Sequence, residues 1–237
     1  SARYDGKVVL VTGSSRGVGK LLCTHFLDGG ATVFGFSRSG NDSPNDGRVR
    51  EFAVDVGDED SVVNAFATLR HEVKRLDILV NNAAVLTSQY SMILPAAAAR
   101  SMVETNLLGT FLVSREAAKL MRRSKWGRII NIGSMAAALD PMGDSIYAAT
   151  KAGVSTLANV MAREFASFNV TCNTLAITAI PTDMLSQLPR DKIDAVVASL
   201  PIPRYAEADD ILNVVDFFAD ERSSYITAQT IFLGGVH

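Results

Sequence analysis

Residues 12–19 read Thr-Gly-Ser-Ser-Arg-Gly-Val-Gly, and they join an apolar run, Lys7–Thr12, to a helical pattern that begins near Gly17. Glycines in such a turn allow a tight bend and let the backbone approach a pyrophosphate closely. The N-terminus of the following helix offers free N–H groups and a partial positive charge to the same anion. The alternative is a strand–helix turn without a ligand, because a glycine-rich turn alone is a weak signal. Its position between the first strand and the first helix favours a dinucleotide site.

The rest of the chain alternates between two kinds of segment. Seven apolar runs rich in β-branched residues are predicted strands: Lys7–Thr12, Ala31–Ser37, Val49–Val54, Ile78–Val80, Arg128–Ile132, Val170–Ala176 and Thr230–Leu233. Five segments with apolar residues at spacings of three and four are predicted helices: Gly17–Asp28, Ser61–Arg75, Ala99–Arg122, Ile146–Phe168 and Ala208–Asp220. Alternation predicts parallel βαβ units, and strands with few polar residues predict a sheet covered on both faces. We therefore expect an α/β fold: one Rossmann-type doubly wound parallel sheet of about seven strands with helices on both faces, in a single domain over residues 1–237.

Two connections interrupt this alternation. Asn41–Gly47 (NDSPNDG) is a turn-rich loop, since the periodic pattern resumes at once after it. Pro189–Arg204 holds three of the seven prolines and is either a mobile flap over a site or an irregular surface connection.

Composition limits the classes of function. The 237 residues include 23 basic and 25 acidic side chains, so the net charge of −2 offers no field for nucleic acid or an anionic membrane. No apolar run reaches the roughly 18 residues of a membrane span, and no signal peptide pattern opens the chain. The two cysteines, Cys23 and Cys172, are expected to be buried thiols in a reducing compartment, which predicts a cytoplasmic protein.

The end of the second strand indicates which dinucleotide is bound. NAD selection commonly uses an acidic residue there, whereas this strand ends Phe36-Ser37-Arg38-Ser39 without a carboxylate. The Arg38 guanidinium suits a ribose 2′-phosphate, and Arg16, Ser37 and Ser39 could reach the same group. The sequence thus favours NADP(H); the alternative is that Arg38 is a solvated loop residue.

Ser134, Tyr147 and Lys151 form a candidate catalytic set. Tyr147 and Lys151 lie four residues apart near the start of a predicted helix, so they share a face, and Ser134 follows a predicted strand. A phenol has a reference pKa of about 10, and a nearby ammonium lowers it toward neutral pH. Ser134 could hydrogen-bond a substrate oxygen. By spacing alone, a tyrosine and a lysine are more often plain surface residues.

Taken together and in order, the motifs resemble those of the short-chain dehydrogenase/reductase family. The resemblance covers nearly all of the chain. It rests on the TGxxxGxG turn at Thr12–Gly19, on Asp55-Val56, which resembles the family's pair beside the adenine ring, and on the NNAG-like Asn81–Ala84. It also rests on the helix asparagine Asn106, on Ser134 and on the YxxxK pattern Tyr147–Lys151. It implies hydride transfer between nicotinamide and a substrate carbon, with Tyr147 handling the proton and Ser134 polarising the carbonyl. It further implies that Lys151 lowers the tyrosine pKa and binds the nicotinamide ribose, while Asn106 holds a proton-relay water.

The resemblance also implies a full set of cofactor contacts. These are Gly13, Ser15, Arg16, Gly17, Val18, Gly19, Ser37, Arg38, Asp55, Val56, Asn82, Ala83, Tyr147, Lys151, Ile180 and Thr182. One stretch departs from the family pattern: Ile177-Thr178 stands where Pro-Gly is usual after a strand beside the nicotinamide. We expect cofactor binding to survive, because Ile180 and Thr182 match the carboxamide positions, but the β-branched pair could narrow the pocket. Ala84 in place of glycine adds one methyl group near the cofactor ribose.

The subgroup that the chain most resembles is that of the 3-oxoacyl-carrier-protein reductases. In those enzymes basic residues hold the acidic carrier protein; Lys125 keeps one such charge, but Phe168 replaces the other. A small ketone, a sugar, a polyketide-like substrate or an acyl thioester therefore stay open. Four apolar residues near the catalytic set form either a partly apolar pocket or core packing: Ala136, Leu139, Met142 and Ile146.

Two other functions are alternatives to a reductase. A dinucleotide-binding regulator without turnover would commonly lack the catalytic tyrosine or lysine, and a nucleotide-sugar dehydratase or epimerase usually needs a larger C-terminal domain. The three dispersed histidines give no ligand spacing, so we expect no catalytic metal. The helices Ala99–Arg122 and Ile146–Phe168 and the segment Phe232–Gly235 match subunit contacts of the family, which implies a homotetramer.

Overall fold

The computed structural model describes residues 2–40, 49–181, 184–185 and 188–236. Its strands are β1 Val8–Thr12, β2 Thr32–Ser37, β3 Arg50–Ala53, β4 Ile78–Asn81, β5 Gly127–Ser134, β6 Val170–Ile177 and β7 Thr230–Phe232. Its α-helices are α1 Gly17–Asp28, α2 Glu59–Glu72, α3 Ala96–Met102, α4 Gly109–Ser124, α5 Ala136–Leu139, α6 Ser145–Phe165, α7 Arg190–Ser199 and α8 Ala208–Ala219. The seven predicted strands are confirmed, and the loop predicted at 41–47 lies outside the described residues.

The strands form one parallel sheet in the order β3-β2-β1-β4-β5-β6-β7. The chain runs outward from β1 through β2 to β3 and then returns to place β4 on the other side of β1. The strand order reverses between β1 and β4, and in sheets of this kind the crevice beyond the carboxyl ends of the strands at that point receives a ligand. The glycine turn follows β1, so it stands at this crevice.

Both faces of the sheet are covered, as the low polarity of the strands predicted. Helices α2, α4 and α6 pack on one face through a core that includes Phe66, Leu112 and Met161. Helices α1 and α8 cover the other face, where Phe26 and Phe218 are buried. Burying an aromatic or aliphatic side chain contributes about 1.5–3 kcal/mol, so two such layers hold the strand ends firmly in place. No helix in the described ranges is long and apolar enough to cross a membrane.

Two helical segments differ from the sequence prediction. The helix predicted at Ala99–Arg122 is interrupted by a π-helical segment at Val103–Leu108, which joins α3 to α4. The connection 189–204, predicted as a flap or an irregular loop, contains α7, whose Ile193 and Val197 are buried. Pro189 precedes this helix and Pro201 follows it, so the prolines mark its two ends rather than an absence of structure.

An arginine lies inside this fold. Arg128 of β5 is the largest side chain that is fully buried. Its guanidinium donates to the backbone carbonyls of Gly127, Asp220 and Glu221 at 3.0, 3.4 and 3.3 Å and lies 4.4 Å from the centre of the Trp126 ring. Burial lowers the pKa of Arg128. The contacts tie the end of α8 to the centre of the sheet.

Candidate active site

A cleft of about 450 Å³ lies beyond the carboxyl ends of the central strands. It is lined by most of the residues predicted to bind a dinucleotide: Gly13, Ser15, Arg16, Gly17, Val18, Ser37, Arg38, Asp55, Val56, Asn82, Ala83, Tyr147, Lys151 and Ile180. Gly19 lies behind the turn, and Thr182 is outside the described residues. Sequence reasoning missed other lining residues, among them Thr105, Ile132, Gly133 and Met184.

The glycine turn fits a pyrophosphate through its backbone. Gly13 and Gly17 have φ values of 66° and 53°, which side chains rarely tolerate. A Cβ on Gly19 would stand 2.0 Å from the carbonyl oxygen of Gly13. Helix α1 begins without a side-chain cap at Arg16, so the N–H groups of its first turn remain available to an anion.

Thr12 and Asn82 hold this turn against the end of β4. The Thr12 hydroxyl accepts hydrogen bonds from the backbone N–H groups of Asn82 and Ala83, both at 3.0 Å. The Asn82 amide donates to the carbonyls of Thr12 and Gly13 at 3.1 and 3.2 Å. Asn82 therefore fixes one wall of the cleft against the turn.

The end of β2 presents cations to the cleft and no carboxylate. Ser37 is buried and accepts a hydrogen bond from the Gly40 N–H at 3.2 Å, while Arg38 and Ser39 are exposed beside it. In the described part of the chain no carboxylate pairs with Arg16 or Arg38. This end of the cleft is therefore suited to a further negative group.

The structure brings Ser134, Tyr147 and Lys151 together. Ser134 ends β5, accepts a hydrogen bond from the Ala136 N–H at 3.1 Å and lies close enough to Tyr147 to lower the pKa of its phenol. Tyr147 and Lys151 lie one turn apart in α6. The Lys151 ammonium is buried, donates to the Ile132 carbonyl at 2.8 Å and stands 5.7 Å from the centre of the Tyr147 ring. A hydrogen-bond donor, an acid and a cation thus meet at one end of the cleft.

Burial shifts the pKa values of both Tyr147 and Lys151. It raises the pKa of Tyr147 to about 12, which the Ser134 hydrogen bond opposes and the Asp144 charge reinforces. Burial lowers the pKa of Lys151 to about 8. The net change at Tyr147 is opposite to the lowering expected from Lys151, because burial is the largest cause of the shift and the Lys151 ammonium is directed at the Ile132 carbonyl.

Asn106 lies at the centre of the π-helical segment, where its side chain is buried. Its Oδ1 accepts from the Val85 N–H at 2.8 Å, and its Nδ2 donates to the Val85 carbonyl at 3.0 Å and to the Thr150 hydroxyl at 3.2 Å. The Thr110 hydroxyl donates to the Asn106 carbonyl at 2.7 Å. Asn106 therefore bridges three parts of the site, and no signal in the sequence indicated Thr110 or Thr150.

The departure at Ile177-Thr178 is accommodated without a break. Ile177 becomes the last residue of β6, pairs with Ser134 across the sheet, and its carbonyl accepts from the Met135 N–H at 2.9 Å. Ile177 and Ile180 line the cleft, and Thr178 is buried. Ile177 thus extends the strand by one residue beyond Ala176, and Thr178 follows the end of β6.

The apolar residues near the catalytic set divide into two groups. Ala136 is buried, whereas Leu139 and Met142 are exposed at 41% and 78%. Their loop contacts the segment after β4 through a hydrogen bond of 2.8 Å from the Gln89 N–H to the Gly143 carbonyl. Core packing therefore does not explain Leu139 or Met142. Over the described residues, no group of three or more His, Cys, Asp or Glu residues is placed to hold a metal ion.

Comparison with known proteins identifies the family. A family model described as short chain dehydrogenase matches residues 7–193, which run from β1 into α7. The chain belongs to this family. Among curated short-chain dehydrogenase relatives, the 3-oxoacyl-(acyl-carrier-protein) reductase FabG of Salmonella typhimurium is 33% identical over 237 residues, covering 98% of this chain and 97% of the relative. The FabG of Vibrio cholerae is 35% identical over 236 residues, with 98% and 97% covered.

Solved structures agree with the short-chain dehydrogenase assignment. A putative gluconate dehydrogenase from Agrobacterium tumefaciens superposes with a TM-score of 0.89 at 30% identity, covering 98% of this chain and 96% of that one. The aldohexose dehydrogenase of Thermoplasma acidophilum, in ligand-free form, gives 0.89 at 26% identity, with 99% and 95% covered. The predicted family and fold are thereby confirmed.

Proposed function

We propose that this chain is an NADP(H)-dependent ketoreductase that interconverts a ketone and the corresponding secondary alcohol. One observation carries the proposal: Tyr147 and Lys151, with Ser134 near Tyr147, line the same cleft as the glycine turn and the cations of Arg16 and Arg38. A single domain, residues 1–237, would bind cofactor and substrate together.

Each catalytic side chain has a distinct task in this proposal. The nicotinamide supplies or takes the hydride when the cofactor is bound. Tyr147 gives a proton to the substrate oxygen during reduction, for which its phenol is protonated and ready at neutral pH. During oxidation the Tyr147 phenolate takes the proton from the alcohol. Ser134 donates a hydrogen bond to the same oxygen and stabilises its developing charge. Lys151 lines the cleft and would hold the nicotinamide ribose, and Asn106 would belong to the route by which protons reach the site.

The nucleotide end favours NADP(H) over NAD(H). Arg38 and Ser37 would hold the ribose 2′-phosphate together with Arg16, because a guanidinium forms paired hydrogen bonds with phosphate oxygens. Asp55 and Val56 line the cleft, and the family resemblance implies that they would border the adenine ring. The turn fits the pyrophosphate by its backbone alone.

The substrate is proposed to be a carbonyl compound, including acyl thioesters of the kind named for the FabG relatives. The sugar dehydrogenases of similar fold make a free sugar the competing class. Exposed Leu139 and Met142 favour the less polar substrate. Phe168 stands where the resemblance implies a cation for binding a carrier protein. The Arg122 guanidinium lies 5.1 Å from the centre of the Phe168 ring, so a cation is present beside this position.

We further propose a cytoplasmic homotetramer. Both cysteines are free and buried, which suits a reducing compartment. Apolar side chains of the π segment, α4 and α6 are exposed on one chain and would be covered by a partner subunit: Val103, Leu108, Phe111 and Val160. Sedimentation equilibrium measures the state directly, and a dominant monomer would contradict this assignment.

Tyr147→Phe tests the central claim. NADPH oxidation is measured with a panel of small ketones, acyl thioesters and free sugars. We expect kcat to fall by about 10²–10⁴-fold, since the variant lacks the proton donor, while NADPH still binds. Tyr225→Phe is the matched control, because Tyr225 is 99% exposed and lies outside the cleft. Turnover that survives Tyr147→Phe would overturn the mechanism, and a wild-type protein inactive on every substrate would favour a regulator.

A further inference from the structure

Thr150 is a residue of α6, and its side chain connects this helix to Asn106 of the π-helical segment. Its hydroxyl donates to the backbone carbonyl of Tyr147 at 2.7 Å and accepts from the Asn106 side-chain amide at 3.2 Å. Thr150 and Asn106 are both almost fully buried, at 2% and 1% exposure. A hydroxyl has one hydrogen, which Thr150 donates to the Tyr147 carbonyl, so the hydroxyl oxygen must be the acceptor for the Asn106 amide.

The bridge extends to the segment that follows β4. Asn106 holds Val85 by its N–H and its carbonyl, and Val85 and the two residues before it line the cleft. Three elements therefore meet at the Asn106 amide: the segment after β4, the π-helical segment, and the N-terminal part of α6. Thr150 makes the hydrogen bond that joins α6 to this meeting point.

Replacing the hydroxyl by a methyl group would leave one buried N–H of Asn106 without an acceptor in the described residues. A buried donor without a partner costs more than the hydrogen bond itself contributes, so Asn106 is expected to move. Any movement of Asn106 changes the distance and orientation between Val85, which lines the cofactor cleft, and Tyr147. Hydride and proton transfer depend on that distance and orientation, because a displacement of about 1 Å costs on the order of 100-fold in rate.

We propose that Thr150 is a positioning residue, which sets Tyr147 and Lys151 against the cofactor-side segment through Asn106. The proposal rests on the ketoreductase function for its kinetic test. It requires no contact between Thr150 and substrate or cofactor, and Thr150 does not line the cleft.

The test compares Thr150→Val, which keeps the shape of the side chain, with Thr150→Ser, which keeps the hydroxyl. We expect Thr150→Val to lower kcat by about tenfold or more, while the KM for NADPH stays within about threefold, and Thr150→Ser to restore kcat to within about threefold of the wild type. Thr68→Val is the matched control: Thr68 is an exposed helix residue of α2 whose hydroxyl donates to the Asn64 carbonyl at 3.2 Å.

A purely structural role would lower the melting temperature and leave kcat of the folded enzyme unchanged. Equal losses of kcat in Thr150→Val and Thr150→Ser, or a Thr150→Val enzyme within about twofold of wild type, would overturn the proposal. Crystal structures of the wild type and Thr150→Val decide it even if no ketone is turned over. We expect Asn106 or the first turn of α6 to be displaced in the variant, and identical positions would refute the positioning role independently of the proposed function.

Discussion

The two ends of the cleft hold positive charge in opposite ways. At the nucleotide end, Arg16 and Arg38 are exposed and form no ion pair within the described residues. At the catalytic end, Lys151 is buried and donates to one backbone carbonyl, that of Ile132. Burial lowers the pKa of Lys151 to about 8. The nucleotide end therefore presents solvated guanidinium groups to an incoming phosphate, whereas the catalytic end holds a single ammonium in a fixed position.

This difference separates affinity from rate. An exposed guanidinium contributes binding free energy when it pairs with a phosphate, so its loss should weaken binding of the cofactor that carries that phosphate. A buried ammonium held beside a tyrosine affects the reacting groups, and its surroundings should influence kcat and the pH profile. Substitutions at the two ends should thus change different kinetic constants.

The largest effect in this comparison is expected from Arg38→Glu. Removing a charge-assisted pair of hydrogen bonds and placing a carboxylate near the 2′-phosphate should weaken NADPH binding by about 100-fold. NADH binding should hold or improve, because a carboxylate at this position can accept hydrogen bonds from the ribose hydroxyls. Fluorescence titration with both cofactors measures the two dissociation constants.

Arg100→Glu changes the net charge by the same amount and is the control for this prediction. Arg100 is exposed on α3 and does not line the cleft. If NADPH and NADH respond equally to Arg38→Glu, then Arg38 does not contact the 2′-phosphate.

The sequence predicts the residues at the nucleotide end of the cleft better than the properties of those at the catalytic end. The nucleotide end is local: a turn between β1 and α1 and a few residues after β2 define it, so glycine spacing and charge predicted which residues line the cleft. The catalytic end is assembled from distant parts of the chain. Spacing predicted that Tyr147 and Lys151 share a face, but the burial that raises one pKa and lowers the other depends on the packed sheet.

The helix around Asn106 shows a second limit of the sequence. Apolar spacings of three and four predict a continuous helix over 99–122, and a π-helical segment of six residues does not disturb that pattern enough to be detected. Helix α7 was missed for a related reason: only Ile193 and Val197 of its ten residues are buried, so its apolar stripe is short. Both features depend on tertiary contacts that residue spacing does not encode.

A smaller effect is expected at the catalytic end from Asp144→Asn. The Asp144 charge contributes to the raised pKa of Tyr147, after burial, so its removal should lower that pKa. Reduction needs the protonated phenol and is lost as the pH rises through the Tyr147 pKa. The alkaline limb of kcat for ketone reduction should therefore move to lower pH, while alcohol oxidation, which needs the phenolate, should gain at alkaline pH.

The pH profiles of kcat in both directions check this shift. Asp140→Asn is the control, since Asp140 is exposed on the same loop and has a φ of 47°, which asparagine tolerates. An alkaline limb that Asp144→Asn leaves in place, or moves to higher pH, would show that the carboxylate does not act on Tyr147.

The smallest effect is expected outside the cleft, at a lysine that contrasts with Lys151. Lys125 is exposed and follows α4 with a φ of 50°, in the left-handed region that favours glycine at a helix end. Lys125→Gly should relieve backbone strain and stabilise the fold by about 0.5–1 kcal/mol, which raises the melting temperature by about 1–3 °C. Lys125→Ala removes the same side chain and keeps the strain, so it should give no such gain. Neither variant should change kcat or the KM for a small ketone, because Lys125 contacts neither end of the cleft. If Lys125→Ala stabilised the fold as much as Lys125→Gly, removal of the side chain rather than relief of backbone strain would be the cause. A loss of ketone turnover in both variants would mean that an exposed cation outside the cleft affects kcat, which contradicts the contrast drawn with the buried Lys151.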